Sequence, residues 1–187
     1  PKTYLNYGKQ WINDNDIQAV VDVLKSDYLT QGPKIKEFED TICAYTSVKY
    51  CVAVSNGTAA LHLAVAALQI AKGSEGITSP NTFAASANCM LYNGLTPRFA
   101  DIDPRTYNID PKNILALLNK NTKLIIPVHF AGQPADMEKI QSIAKENNLY
   151  VIEDAAHAIG SQYTDGSYVG NCKYSDLTTF SFHPVKT

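Results

Sequence analysis

Val151-Ile152-Glu153-Asp154-Ala155-Ala156-His157 and Leu177-Thr178-Thr179-Phe180-Ser181 decide how this sequence folds. Each begins as a short apolar or β-branched run and ends on a polar side chain, which reads as a buried strand delivering a functional group at its carboxyl end. The alternation continues upstream. Leu124 to Val128 is a strongly β-branched strand, and a Gly-Gln-Pro loop separates it from a helix over Asp136 to Asn148. Thr96 to Ala100 and Ile77-Thr78-Ser79 read as strands, with helices over Phe83 to Tyr92 and Pro111 to Asn119. Tyr50 to Val54 reads as another buried strand, leading into an Ala/Leu-rich helix over Gly57 to Ile70. Before it, Asn13 to Ser26 and Pro33 to Ser47 carry apolar residues at helical spacing, with Asn13 or Asp14 as a cap and Pro33 in a first turn. Repeated βα units predict a mainly parallel sheet with helices on both faces. In such sheets ligands bind at the carboxyl ends of strands.

Bulk properties narrow the classes. The 187 residues are 45% hydrophobic and 18% charged, which fits a globular domain with a sizeable core. A net charge of -2 gives no reason to expect a nucleic-acid or membrane-surface partner. No apolar run is long enough to span a membrane, and Pro1-Lys2-Thr3-Tyr4 opens no signal-peptide segment. The amino terminus lacks Met, which suggests trimming or a boundary. Four cysteines, Cys43, Cys51, Cys89 and Cys172, lack metal-site spacing and read as buried free thiols of a reducing, cytoplasmic compartment. No metal is expected.

The polar residues that follow strands suggest one chemistry. Ser55-Asn56-Gly57-Thr58 joins a strand to a helix, where Gly57 permits close approach and Thr58 adds a hydroxyl beside free N–H groups, an anion site suited to phosphate. Taken alone it is equally a helix cap, and neither GxxxxGK[ST] nor GxGxxG is present. Phe83, after Pro80-Asn81-Thr82, can lie on a flat heterocycle or simply pack. Asp154 ends an apolar strand, where an unpaired carboxylate is costly, so it needs a cationic partner such as a protonated pyridine nitrogen. A cap or an ion pair with lysine is the ordinary alternative. His157 can hydrogen-bond a ring oxygen, whereas His62 and His129 read as structural. Ser181 offers a hydroxyl to phosphate. Lys186, beside Pro184 and Val185, is partly desolvated, as an amine that must condense with an aldehyde near neutral pH requires. A phosphate turn, an aromatic, an Asp, a Ser and a Lys in this order match what a pyridine-type aldehyde cofactor needs.

Ser181-Phe182-His183-Pro184-Val185-Lys186-Thr187, Glu153-Asp154-Ala155-Ala156-His157 and Ser55-Asn56-Gly57-Thr58 together resemble the DegT/DnrJ/EryC1/StrS sugar aminotransferases. So do Ser26 to Pro33, Ser79 to Phe83 and Pro127 to Met137. The resemblance implies a three-layer αβα fold, the large domain of a fold-type-I pyridoxal-phosphate enzyme. It implies that residues 1–187 are the amino-terminal part of that domain, the remainder and a small carboxy-terminal domain being absent. Lys186 would be the Schiff-base lysine and general acid/base, Asp154 the partner of the pyridine nitrogen, and His157 the neighbour of the ring hydroxyl, where many relatives have Gln. Phe83 would stack on the ring, and Gly57, Thr58 and Ser181 would hold the phosphate. Tyr7, Asp27, Tyr28, Leu29 and Thr30 would belong to the sugar-nucleotide pocket.

The blocks are most similar to the branch acting in pseudaminic-acid biosynthesis. That branch implies amination at C4 of a UDP-linked 4-keto-6-deoxy-N-acetylhexosamine, with L-glutamate as donor and a homodimer as the assembly. Lys186 itself speaks against the sugar 3-dehydratases of the family, which have His there. Other readings are another nucleotide-sugar 3- or 4-aminotransferase, a non-catalytic nucleotide-sugar-binding fragment, and a nicotinamide-binding domain, the last weakened by the missing glycine fingerprint. Because relatives run about twice this length, these residues alone are expected to bind cofactor weakly and turn over little.

Overall fold

In a computed structural model, residues 10–186 are described. Five parallel strands form one sheet in the order β2-β1-β3-β4-β5: β1 is Glu75–Thr78, β2 Thr96–Phe99, β3 Thr122–Ile126, β4 Tyr150–Asp154 and β5 Leu177–Thr179. The helices are α1 Asp14–Leu24, α2 Pro33–Thr46, α3 Gly57–Ala67, α4 Ala85–Tyr92, α5 Pro111–Leu117 and α6 Met137–Asn147.

Strand alternation sorts the core into two layers. Leu124, Ile126 and Ile152 join Leu61, Val65, Cys89 and Met90, so α3 and α4 cover one face. Ile77, Ile125 and Val151 join Ile114, Ile140 and Ile143, so α5 and α6 cover the other. Leu124, Ile125 and Ile126 are each 0% exposed, and burying each contributes roughly 1.5–3 kcal/mol. Near-continuous apolar runs of this kind are what a sheet covered on both faces requires. Gly76 in β1 lets α4 approach closely, since an added Cβ would lie 2.5 Å from Met90 Sδ. The fold is the three-layer αβα sandwich expected of the sequence.

The helix starts follow their caps. Asn13 accepts from Asn15 and Asp16 N–H while Asp16 accepts from Asn13 N–H, a reciprocal box contributing about 1 kcal/mol. Asp110 and Asp136 cap α5 and α6, and Pro33 and Pro111 occupy first-turn positions.

Two expectations fail. Tyr50 to Val54 forms no strand, and Tyr50 and Val52 are 73% and 76% exposed. An extended segment becomes a strand only through a neighbour's backbone, and here Ala53 N–H donates instead to Glu39 Oε1 at 2.9 Å. The four cysteines are free, but only Cys89 is buried, the others being half-covered. The apolar stripe of α1 (Ile17, Val20, Leu24) is also exposed. Among the described residues no helix is long and apolar enough to cross a membrane.

Candidate active site

The carboxyl ends of β3, β4 and β5 converge because pairing continues beyond the regular strands. Asp154 N–H donates to Pro127 O at 2.9 Å, His129 N–H donates to Asp154 O at 3.0 Å, and Ala155 N–H donates to Thr179 O at 2.9 Å. Asp154 is thereby fixed at the end of β4, 4% exposed and facing the α3/α4 layer. Its Oδ2 accepts from Ser86 Oγ at 2.6 Å, and its Oδ1 accepts from Ala156 N–H at 3.2 Å. An ionised carboxylate offers about four acceptor positions, so half of this one's capacity stays open. No Lys, Arg or His forms an ion pair with Asp154 among the described residues, leaving its charge for a bound cation. That charge is felt nearby: burial first, and then Asp154, push the Cys89 thiol up to about 12.

Lys186 Nζ donates to His157 Nε2 at 2.9 Å. Burial and then the Lys186 charge hold the His157 imidazole below its ordinary value, against the pull of Asp154. A neutral ring is what lets Nε2 accept from the ammonium group. His157 therefore sits within the electrostatic reach of both the amine and the carboxylate.

The anion end lies at α3. Asn56 caps the helix by accepting Ala59 N–H at 2.8 Å, so Gly57 and Thr58 N–H, the first two of the helix, have no partner among the described residues. An added Cβ at Gly57 would lie 3.1 Å from Ser181 Cβ and 3.4 Å from its Oγ, so glycine here is what brings the helix start against the serine hydroxyl. Two free N–H groups, a hydroxyl and the positive end of a helix dipole are a set of groups that can hold an anion.

Phe83 is 70% exposed at the head of α4, with a ring face free to stack. Asp27, Tyr28, Leu29 and Thr30 lie in the exposed loop between α1 and α2, and no hydrogen bond among the described residues joins them to Lys186 or Asp154. Phe38 of α2 does pack edge-on against Phe182 at 5.0 Å, tying that helix to the strand end beside Ser181. Tyr7 lies outside the described residues. His62 packs against Tyr92, and His129 is buried in the core, in keeping with structural roles. A cleft of about 560 Å³ opens elsewhere, lined by Arg105, Lys112, Gln133 and Lys139, and none of the residues above lines it.

Sequence reasoning missed two participants, Ser86 and Asn56, and a buried network beside them. Ser86 is an ordinary helical serine with no local signal. Asn56 was legible as a cap only once the helix start was fixed. Glu153, beside Asp154, anchors a buried network: its Oε2 accepts from His129 Nε2 at 2.7 Å and Tyr163 OH at 2.6 Å, and its Oε1 accepts from Ser175 Oγ at 2.5 Å and Thr178 Oγ1 at 3.2 Å. Ala135 N–H donates to His129 Nδ1 at 3.1 Å, which puts the ring proton on Nε2, facing Glu153. Burial works to raise the Glu153 carboxyl, but these donors outweigh it and hold it below its ordinary value.

The parallel αβα sandwich is the large-domain fold of pyridoxal-phosphate-dependent aminotransferases. The chain belongs to the DegT/DnrJ/EryC1/StrS aminotransferase family, whose family model matches residues 10–187. It is 43% identical over 183 residues to the spore coat polysaccharide biosynthesis protein SpsC of Bacillus subtilis, covering 98% of this chain and 46% of that protein. Helicobacter pylori PseC, an aminotransferase involved in the biosynthesis of pseudoaminic acid, superposes with a TM-score of 0.91 at 34% identity, over 97% of this chain and 48% of PseC. The PLP form of Spr1654 of Streptococcus pneumoniae gives a TM-score of 0.90 at 32% identity, over 97% and 50% of the two chains. The chain thus spans about half the length of the relatives it matches.

Proposed function

We propose that this chain carries the cofactor-holding part of a pyridoxal-phosphate-dependent nucleotide-sugar aminotransferase. The reading rests above all on Asp154, a carboxylate 4% exposed whose acceptor capacity is half open and which forms an ion pair with no cation among the described residues. Such a group is costly unless a cation arrives, and a protonated pyridine nitrogen is that cation. The chemistry of the residues suits the group: Gly57, Thr58 and Ser181 would hold its phosphate, Phe83 its ring face, Asp154 its nitrogen, His157 its hydroxyl and Lys186 its aldehyde carbon.

Pyridoxal phosphate, when bound, supplies an aldehyde that takes and releases an amino group and a ring that absorbs the electron pair left at a deprotonated carbon. The chain supplies the rest. Lys186 holds a proton at Nζ and can give it up or recover it, acting as both acid and base. Neutral His157 orients that amine from Nε2. Asp154 keeps a proton on the ring nitrogen by its charge, and the α3 N–H groups fix the anionic end.

For substrates, the finer reading is L-glutamate as donor and a UDP-linked 4-keto-6-deoxy-N-acetylhexosamine as acceptor, aminated at C4 in a pseudaminic-acid type pathway by a homodimer. The likeness to PseC supports it. The likeness to SpsC supports the wider alternative, a nucleotide-sugar aminotransferase of another surface polysaccharide. Asp27 to Thr30, with Tyr7, are the proposed contacts to the sugar nucleotide.

Incubation with pyridoxal phosphate, borohydride reduction and peptide mapping tests the cofactor reading. Label should concentrate on Lys186 and fall sharply in Asp154→Ala. An even spread over surface lysines would end the proposal. Release of 2-oxoglutarate from glutamate beyond one equivalent per cofactor, sustained only when the keto sugar is present, tests the substrates.

A further inference from the structure

We propose that Ser86, backed by Thr82, is a positioning residue that fixes how Asp154 presents its carboxylate to the cofactor's ring nitrogen. The inference rests on the cofactor reading above and adds to it a specific pair of hydroxyls.

Ser86 is 0% exposed in the first turn of α4, and its Oγ lies 2.6 Å from Asp154 Oδ2. Thr82 Oγ1 lies 2.6 Å from the same Oγ on its other side, and Phe83 O lies 3.2 Å from it. A hydroxyl has one proton. The carboxylate, charged and nearest with the threonine, takes that proton, and Thr82 then donates to Ser86. The result is a relay in which Thr82 O–H points to Ser86 and Ser86 O–H points to Asp154. Each donor polarises the next and strengthens the last bond.

Two consequences follow. Oδ2 is pinned, so the side chain cannot rotate to satisfy itself elsewhere, and the open acceptor capacity is held in one direction. The relay also starts from Thr82, the residue before Phe83, so the carboxylate and the ring-stacking aromatic are set by one turn of chain. Ser86 N–H, which donates to Phe83 O at 3.1 Å, fastens that turn. The i−3 carbonyl of Phe83, the partner a helical serine ordinarily takes, lies farther from Oγ at 3.2 Å than the carboxylate and the second hydroxyl, each at 2.6 Å.

The experiment compares equilibrium-dialysis affinities for pyridoxal phosphate and for its 1-deaza analogue, in which C–H replaces the ring nitrogen. The wild-type chain should prefer pyridoxal phosphate by roughly a hundredfold, as expected for a charge-assisted pair shielded from water. Asp154→Ala should abolish the preference. Ser86→Ala should cut it by roughly tenfold, by weakening pyridoxal phosphate and leaving the deaza analogue unchanged. Ser86→Cys, with a similar shape and a weaker donor, should fall between, and Thr82→Val should show a smaller loss of the same kind. A preference that depends on Asp154 and is untouched in both Ser86 variants overturns this inference alone. Equal weakening of both probes reduces Ser86 to a folding residue and also overturns it. No preference in the wild type overturns the cofactor reading itself.

Discussion

Two adjacent carboxylates on β4 end up in opposite situations, and the contrast is what singles out Asp154 in the proposed site. Glu153 turns toward the α5/α6 layer and Asp154 toward the α3/α4 layer, because successive strand residues face opposite sides. Both are nearly inaccessible, at 0% and 4%. Glu153 accepts from four donors, one for each acceptor position it has, and so is stable as a buried anion. Asp154 accepts from a single hydroxyl and one peptide N–H. Burial alone therefore does not mark a functional acid. The distinguishing property is burial with acceptor capacity left over.

The largest expected effect comes from breaking the saturated member. Glu153→Leu would leave the His129 ring N–H and the Tyr163, Ser175 and Thr178 hydroxyls without their acceptor, costing roughly 3–5 kcal/mol in urea unfolding. Asp154→Ala should cost no more than about 1 kcal/mol while removing cofactor retention. Equal stability losses in the two variants would erase the contrast. The pH dependence sharpens it. The folded-state carboxyl of Glu153 lies below its ordinary 4.5, so its stabilisation is fully present above about pH 4.5 and is lost as pH falls through the folded value. Asp103 and Asp165 are also held low, first by hydrogen bonds from Arg105 and Lys173, but Asp103 is only half-buried and Asp165 is exposed. In about 0.5 M salt their ion-pair contributions fade, and the remaining acid loss should be the part that disappears in Glu153→Gln.

This contrast also separates what was legible in the sequence from what was not. The βα order, the parallel sheet and strand-end Asp154 followed from apolar periodicity and punctuation, which are local. Five strands and six helices were placed within a few residues on that basis. Tyr50 to Val54 was misread because its Cys-Val-Ala-Val pattern is strand-like, whereas strand formation depends on a neighbour that local pattern does not name. Glu153 looked no different from Asp154, since its four donors come from 24 residues upstream and from 10 to 25 residues downstream. Ser86 stands 68 residues from Asp154, and nothing in its own helix announces the contact. Long-range polar pairing escaped the reading, while periodic apolar burial did not.

A middle-sized effect tests whether the Asp154 face is shaped for an anion as well as a ring. Gly57→Ala places a methyl 3.1 Å from Ser181 Cβ, close enough that the serine must shift by a few tenths of an ångström. The helix itself should gain or lose less than about 1 kcal/mol, since alanine favours a helix. Affinity for pyridoxal phosphate should fall by roughly tenfold, and affinity for pyridoxal, which lacks the phosphate, should not change. Equal losses for both would place the phosphate elsewhere.

The smallest effect probes how close Glu153 is to the condition of its neighbour. Tyr163→Phe keeps the ring that packs edge-on against Tyr174 at 5.0 Å and removes only the hydroxyl that donates to Glu153. Burial and then the Glu153 charge already hold that phenol well above its ordinary value, so it serves as a proton donor at every working pH. Its loss should cost about 1 kcal/mol near neutrality. With one acceptor position open, Glu153 should be less depressed, so acid destabilisation should begin at higher pH than in the wild type. An unchanged acid limb would mean that His129, Ser175 and Thr178 suffice to hold the charge. A carboxylate could then give up one donor on this face without becoming a cation site, and the count of open positions would no longer separate the two acids.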